Sequence, residues 1–195
     1  MTPMNKLLSI TAALALTGFL ACGGGGGSNP PPPPPPTATG LAYTDPTTGT
    51  YLLKKNPTLS TSTHIVLDLV GPAGTGTGVS ATLSADTTKV TWVNVATSDA
   101  ANTFVQNGTA FNLGAAPQIL KGKVIGDVLQ ITAAQKGFAS PVSLNAPLLR
   151  IALDLKASQP TGAITFSADS TKCQVLDGAG TITAITVSVG TLTAQ

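Results

Sequence analysis

The side chains that could carry acid–base or nucleophilic chemistry are few: one histidine (His64), two cysteines (Cys22 and Cys173), and eight aspartates with no glutamate. A zinc site built on His64 would need two or three further nitrogen or sulfur ligands, and the sequence does not supply them. His64 therefore reads as an ordinary strand-edge residue of the segment "THIVLDLV". Two cysteines so far apart make neither a disulfide framework nor a multi-cysteine metal site. Cys173, in "TKCQVL", reads as a small buried hydrophobe. Its neighbour Lys172 falls on the opposite face of a strand and so is no activator of the thiol.

Glycoside hydrolysis needs two carboxyl groups about 5 to 10 Å apart across a cleft. Asp68, Asp86, Asp154, Asp169 and Asp177 are the candidates. Asp86, Asp169 and Asp177 sit in turn-like contexts, where an aspartate bonds its own backbone. The segment "DGAGT" lacks the alternating acids of a calcium loop, and no serine stands in a glycine-x-serine-x-glycine elbow. Sugar binding on a sheet needs exposed rings, and Trp92, Tyr43 and Tyr51 are the larger aromatics available. Trp92 follows Val90 on one strand face and reads as core. The formal net charge is +2, with cations spread singly, so nucleic acid is excluded as a partner.

The elements that would position these residues have a period of two. In "THIVLDLV", Ile65, Leu67 and Leu69 alternate with His64, Val66 and Asp68. In "GVSATLSAD", Val79, Ala81, Leu83 and Ala85 alternate with serine and threonine. In "PLLRIALDLKAS", Leu149, Ile151, Leu153 and Leu155 share one face, and Arg150, Asp154 and Lys156 the other. Further strands are expected at Tyr51 to Lys54, Val90 to Val95, Val124 to Ala133, Ala163 to Ala168 and Thr181 to Val189. Turn chemistry such as "DPTTG", "GPAGTGTG", "SQPTG" and "DGAG" separates them. No segment has the pattern of an amphipathic helix. Abundant valine and threonine with short spacings predict an all-β antiparallel sandwich.

The N-terminal stretch is of another kind. Lys6 precedes an apolar run, Leu7 to Leu20, of signal-peptide length and too short for a comfortable membrane span. It ends in "FLAC", which resembles the lipobox of a bacterial lipoprotein. The resemblance implies cleavage after Ala21, a lipid on the sulfur of Cys22 and, with Gly23 following, export to the outer membrane. Each buried CH₂ adds about 0.8 kcal/mol to such an anchor. Gly23 to Gly27 then reads as flexible coil, and Pro30 to Pro36 as a polyproline II rod rising about 3.1 Å per residue. The expected organisation is a signal peptide at 1–21, a lipid-anchored linker at 22–40 and a domain at 41–195.

Within that domain, "GVSATLSADTTKVTWVNV" (Gly78 to Val95) resembles the part of cohesin domains in which an alternating strand leads through an aspartate and a lysine to a second strand. The later run "APLLRIALDLKASQPTGAITFSADSTKCQVLDGAGTITAITVSVGTLT" is similar to that family's C-terminal half. The resemblance covers roughly Thr63 to Thr193 and implies a cohesin-like jelly roll. Cohesins and the related carbohydrate-binding modules bind protein modules or polysaccharides without catalysis. It therefore implies a non-enzymatic binding or scaffolding module for a protein partner at the envelope. The residues themselves point to no cofactor and no metal site, with calcium held by turn aspartates and carbonyls left open. The alternative is a carbohydrate-binding module with Trp92, Tyr43 and Tyr51 as stacking residues. The start, "GLAYTDPTTGTYLLKKN", fits that pattern less well and is expected to add a hairpin, Leu41 to Tyr43 against Thr50 to Leu53.

Overall fold

The computed structural model describes residues 32–113, 119–135 and 139–195. The signal segment 1–21, Cys22 and the glycine run lie outside the described residues, as do the first two prolines of the proline run. In chain order the strands are β1 (Leu41–Thr44), β2 (Tyr51–Lys55), β3 (His64–Val70), β4 (Thr75–Ala85), β5 (Val90–Val93), β6 (Gln106–Asn107), β7 (Ile119–Ile125) and β8 (Val128–Ala134). They continue as β9 (Val142–Ser143), β10 (Pro147–Leu155), β11 (Gly162–Ile164), β12 (Phe166–Ala168), β13 (Gln174–Asp177), β14 (Ile182–Ala184), β15 (Val187–Ser188) and β16 (Thr191–Ala194). A single 3-10 turn, Ser170–Lys172, is the one helical element among the described residues.

Two large sheets face each other. One has the order β15-β2-β3-β10-β5, with β6 also on β10; the other runs β14-β13-β4-β8-β7, with β9 and β12 also on β4. A small third sheet, β1-β16-β11, joins the two ends of the domain sequence. The alternation dictates the packing. Ile65, Leu67, Leu69, Leu149, Ile151 and Leu153 point inward from the first sheet and meet Val79, Ala81, Leu83, Leu129, Ile131 and Ala133 from the second in one apolar cluster. The domain is thus the β-sandwich that the periodicity predicts, antiparallel in its strand pairings among the described residues except for β15 on β2.

The structure corrects four local expectations. First, Val124 to Ala133 is not one strand. The chain reverses at Gly126 and Asp127 into the β7–β8 hairpin, with Ile125 opposite Val128. Gly126 has φ +58°, which suits the first position of a two-residue hairpin turn. Second, Ala163 to Ala168 divides at Thr165, β11 joining the small sheet and β12 crossing to β4. Third, Thr181 to Val189 divides likewise, β14 pairing with β13 and β15 running parallel to β2. Fourth, Leu41 to Tyr43 does not pair with Thr50 to Leu53. β1 lies against β16, from Leu41 opposite Ala194 to Thr44 opposite Thr191, and β2 lies against β3.

Two aromatic side chains tie the layers together. The Tyr43 hydroxyl donates to the Leu53 carbonyl (2.8 Å) and accepts from the Gly190 amide (2.7 Å), stitching β1 to β2 and to the turn before β16. Trp92 Nε1 donates to the Asp127 carbonyl at 3.0 Å and so links β5 of the first sheet to the hairpin of the second. Phe166 packs between the two rings, 6.1 Å from Tyr43 edge-on and 6.2 Å from Trp92.

Burial pushes the Tyr43 phenol from 10.0 up to about 12. A folded-state value above the unfolded one means that this stabilisation is complete below pH 10.0 and is lost as pH rises toward about 12. Denaturant unfolding across that range should therefore show falling stability, and Tyr43→Phe should flatten the slope. An unchanged slope in the variant would assign the alkaline loss to other groups, Tyr51 first among them, since burial raises its phenol too.

Candidate functional site

The sequence pattern treats β3 as half-buried, but Val66 on its outer face is fully buried and Asp68 nearly so. The chain after β5 folds back over this face, and Val95 packs on Val66 and Ala152 in a second small apolar cluster. Asp99 anchors the fold-back by accepting from the Ala96 amide and from Gln106 Nε2. Asn94 Oδ1 accepts from the amide of Phe104, which has φ +56°. Beside this covering the outer face carries a charge ladder. Arg150 Nε donates to Asp68 Oδ1 at 2.8 Å, and Asn56 Nδ2 donates to Asp68 Oδ2 at 2.9 Å.

His64 has a partner that its sequence context does not reveal. Its Nδ1 stands 2.5 Å from Asp154 Oδ1, its cross-strand neighbour, at the edge of a cavity of about 490 Å³ lined also by Leu59, Thr61 and Asn94. Nε2 lies 3.2 Å from the Val95 carbonyl oxygen. A general base must aim a free nitrogen lone pair at a substrate proton. Both ring nitrogens here face protein oxygens, so His64 ties β3 to β10 and to the fold-back.

The remaining candidates are structural in their contacts. Asp86 Oδ1 accepts from the Thr88 amide and hydroxyl, and Asp177 Oδ1 from the amides of Ala179 and Thr181. Asp169 caps the 3-10 turn, and the Lys172 ammonium, with help from Thr171, holds its carboxyl down at about 2. Cys173 is fully buried; its thiol donates to the Asp169 carbonyl at 3.2 Å, and burial pushes its pKa up, away from a reactive thiolate. Trp92, Tyr43 and Tyr51 are at most 7% exposed. Their rings pack in the core and form no platform for a sugar, which corrects their placement as stacking residues. No group of three or more potential metal ligands occurs among the described residues.

The outer face of the second sheet is the less covered of the two, although Thr82 at its centre is only 7% exposed. Inward positions of β4 and β8 fill the core, so Ser80, Thr82 and Ser84 on β4 and Gln130 and Thr132 on β8 point away from it. On β7 the same face carries Ile119, Lys121, Lys123 and Ile125, all exposed. On the far side Leu176 of β13 and Ile182 of β14 stand opposite each other, and Ile182 is 67% exposed. Two shallow grooves mark the face, one between Ile125, Val128 and Lys172 and the other between Ala134, Leu176 and Ile182. Sequence reasoning missed β7 because two lysines and a glycine in "ILKGKVI" mask an alternation that continues unbroken from Ile119 to Ile125.

No family model matches this sequence. No curated protein matches it either. Among solved structures, the sixth cohesin of scaffoldin B from Acetivibrio cellulolyticus, in complex with a Cel5 dockerin mutant, superposes with TM-score 0.51 at 15% identity, over 74% of this chain and 97% of that one. The complex of a CaDoc0917 variant with CaCohA2 gives TM-score 0.51 at 15% identity, over 66% of this chain and 86% of that one. The fold is a cohesin-like β-sandwich. At this identity the likeness is one of architecture, and the residues on the open face of this cohesin-like domain are its own.

Proposed function

We propose that this protein is a non-catalytic docking module anchored at the bacterial envelope through Cys22, and that a protein partner seats on the outer face of the β14-β13-β4-β8-β7 sheet. The observation that carries the reading is the contrast between the two sheet faces. One is largely covered by its own chain and by charge pairs, with Leu59, at 41% exposure beside the His64 cavity, as the large apolar side chain it leaves in solvent; the other leaves three, Ile119, Ile125 and Ile182, at 40%, 52% and 67% exposure. Solvent-exposed large apolar side chains gathered on one sheet face mark an interaction surface. The cohesin-like fold supports the same reading, because the scaffoldin B cohesin it resembles is seen in complex with a dockerin. The lipobox-like "FLAC" and the Gly/Pro segment support the anchor, which would sit in the outer membrane and hold the domain clear of it.

The test uses the full chain as bait on detergent-solubilised envelope, beside Ile125→Asp and Ile182→Asp variants. These surface changes should alter unfolding free energy by no more than about 0.5 kcal/mol. A protein retained by the parent chain and lost from both variants is the expected result. Equal retention by all three would move the docking surface elsewhere, and retention on insoluble polysaccharide with no protein captured would replace the reading with carbohydrate binding. For the anchor, radiolabelled fatty acid should enter the parent chain and not Cys22→Ala; label in both would place the lipid at another residue.

A further inference from the structure

We infer that the partner of this face is acidic: it presents carboxylates between apolar side chains, matched to the order isoleucine, lysine, lysine, isoleucine along β7. This rests on the docking reading above. Ile119, Lys121, Lys123 and Ile125 alternate on one face of β7, so their side chains follow one another at about 7 Å intervals. Lys121 and Lys123 are exposed and belong to none of the ion pairs among the described residues, whose members are His64, Asp154, Arg150, Asp68, Lys172 and Asp169. The cross-strand neighbours of these lysines on β8 are Thr132 and Gln130, and beyond them on β4 stand Ser80 and Thr82. No carboxylate occupies an outward strand position beside them.

The nearby acids are already engaged. The Asp127 side chain, in the hairpin turn, accepts from the Thr87 hydroxyl, and Asp169 at the opposite rim pairs with Lys172 at 2.8 Å. Two ammonium groups of like sign on one strand repel, and an opposing carboxylate pair removes that repulsion as the flanking isoleucines leave water. Charge complementarity of this kind selects the partner and speeds encounter more than it deepens affinity. A basic or neutral surface seated here would leave both ammonium groups desolvated and unpaired, at a penalty.

The experiment selects a randomised peptide library displayed on phage against the full chain. In parallel it selects against a Lys121→Glu, Lys123→Glu double variant and an Ile119→Asp, Ile125→Asp double variant, each first shown to keep the parent's thermal midpoint. Peptides selected on the parent should be rich in aspartate and glutamate flanked by apolar residues. They should bind the charge-reversed variant at least tenfold more weakly and weaken with added salt. Selection on the charge-reversed variant should return lysine- and arginine-rich peptides. Peptides that map to the isoleucines yet carry no acidic excess would overturn the inference and leave the docking reading intact. Peptides indifferent to both double variants would overturn the docking reading itself. The parent chain is also tested on vesicles of phosphatidylglycerol and phosphatidylcholine. Lysine-dependent binding there, with no acidic peptide selected, would assign the cations to an anionic lipid surface and overturn the inference.

Discussion

Leu153→Asp is expected to abolish the folded state. Leu153 is fully buried toward the C-terminal end of β10, opposite Ile65 on one side and Trp92 on the other. An aspartate there removes a buried leucine, whose truncation alone costs about 2–5 kcal/mol, and adds a carboxylate with no cation in reach. The sum is comparable with the whole stability of a domain this size, about 5–15 kcal/mol. Circular dichroism should show loss of the strand signal and of the cooperative melt. The neighbouring Asp154→Leu is the internal comparison, because it faces outward. It deletes the carboxylate that meets His64 Nδ1 in a partly exposed pair and should cost about 0.5–1 kcal/mol. A cooperative melt for Leu153→Asp close to that of Asp154→Leu would refute the facing of this strand.

Gly190→Ala is the second large effect. A Cβ built on Gly190 would stand 1.8 Å from the Thr44 carbonyl oxygen and 2.9 Å from Tyr43 Cζ. The obstacle is backbone on one side and a buried ring on the other, so neither can swing aside. Relief requires β1 to pull away from β16, and that strains the Gly190 amide bond to the Tyr43 hydroxyl. The expected loss is about 3 kcal/mol, toward the upper end for overpacking. It should be read from the denaturant midpoint, with Gly180→Ala beside it as a second glycine substitution. Gly180 has open space at its Cβ but φ +82°, so its cost is conformational alone and should stay near 1 kcal/mol. Equal losses in the two variants would mean that β1 gives way at no cost.

The contrast between those glycines shows what was legible in the sequence. Local alternation gave the facing of β3, β4 and β10 correctly, because period two depends only on neighbours along the chain. The role of Gly190 depends on Thr44, almost the whole domain away, and "SVGTL" carries no trace of it. The same limit explains the hairpin misassigned to Leu41 and Thr50: nearness in sequence favoured it, whereas β1 pairs with the distant β16 and β2 with β3. Val66 reads as solvent-facing because no rule of alternation anticipates a loop folding back over a sheet. In the site, His64 and Asp154 come from strands far apart in the chain, and their pairing is a fact of register rather than of spacing. Trp92 reads correctly as core from its position after Val90, whereas nothing local distinguishes Tyr43 or Tyr51 from surface rings.

The β1–β16 ladder also bears on the order of events in folding. Its rungs join the first strand of the domain to the last, so its pairing closes almost the whole domain into one loop, an entropy cost of about 4 kcal/mol by the loop-length relation. Contacts of such long separation form late. A chain emerging from its N-terminus must leave Leu41–Thr44 waiting until Thr191–Ala194 has arrived. Until then Tyr43 lacks the Gly190 amide and the apolar edge near Leu53 stays uncapped. Completion of the sandwich therefore registers that synthesis of the domain has reached β16, and a chain cut short before that strand cannot form the β1-β16-β11 sheet that shuts it.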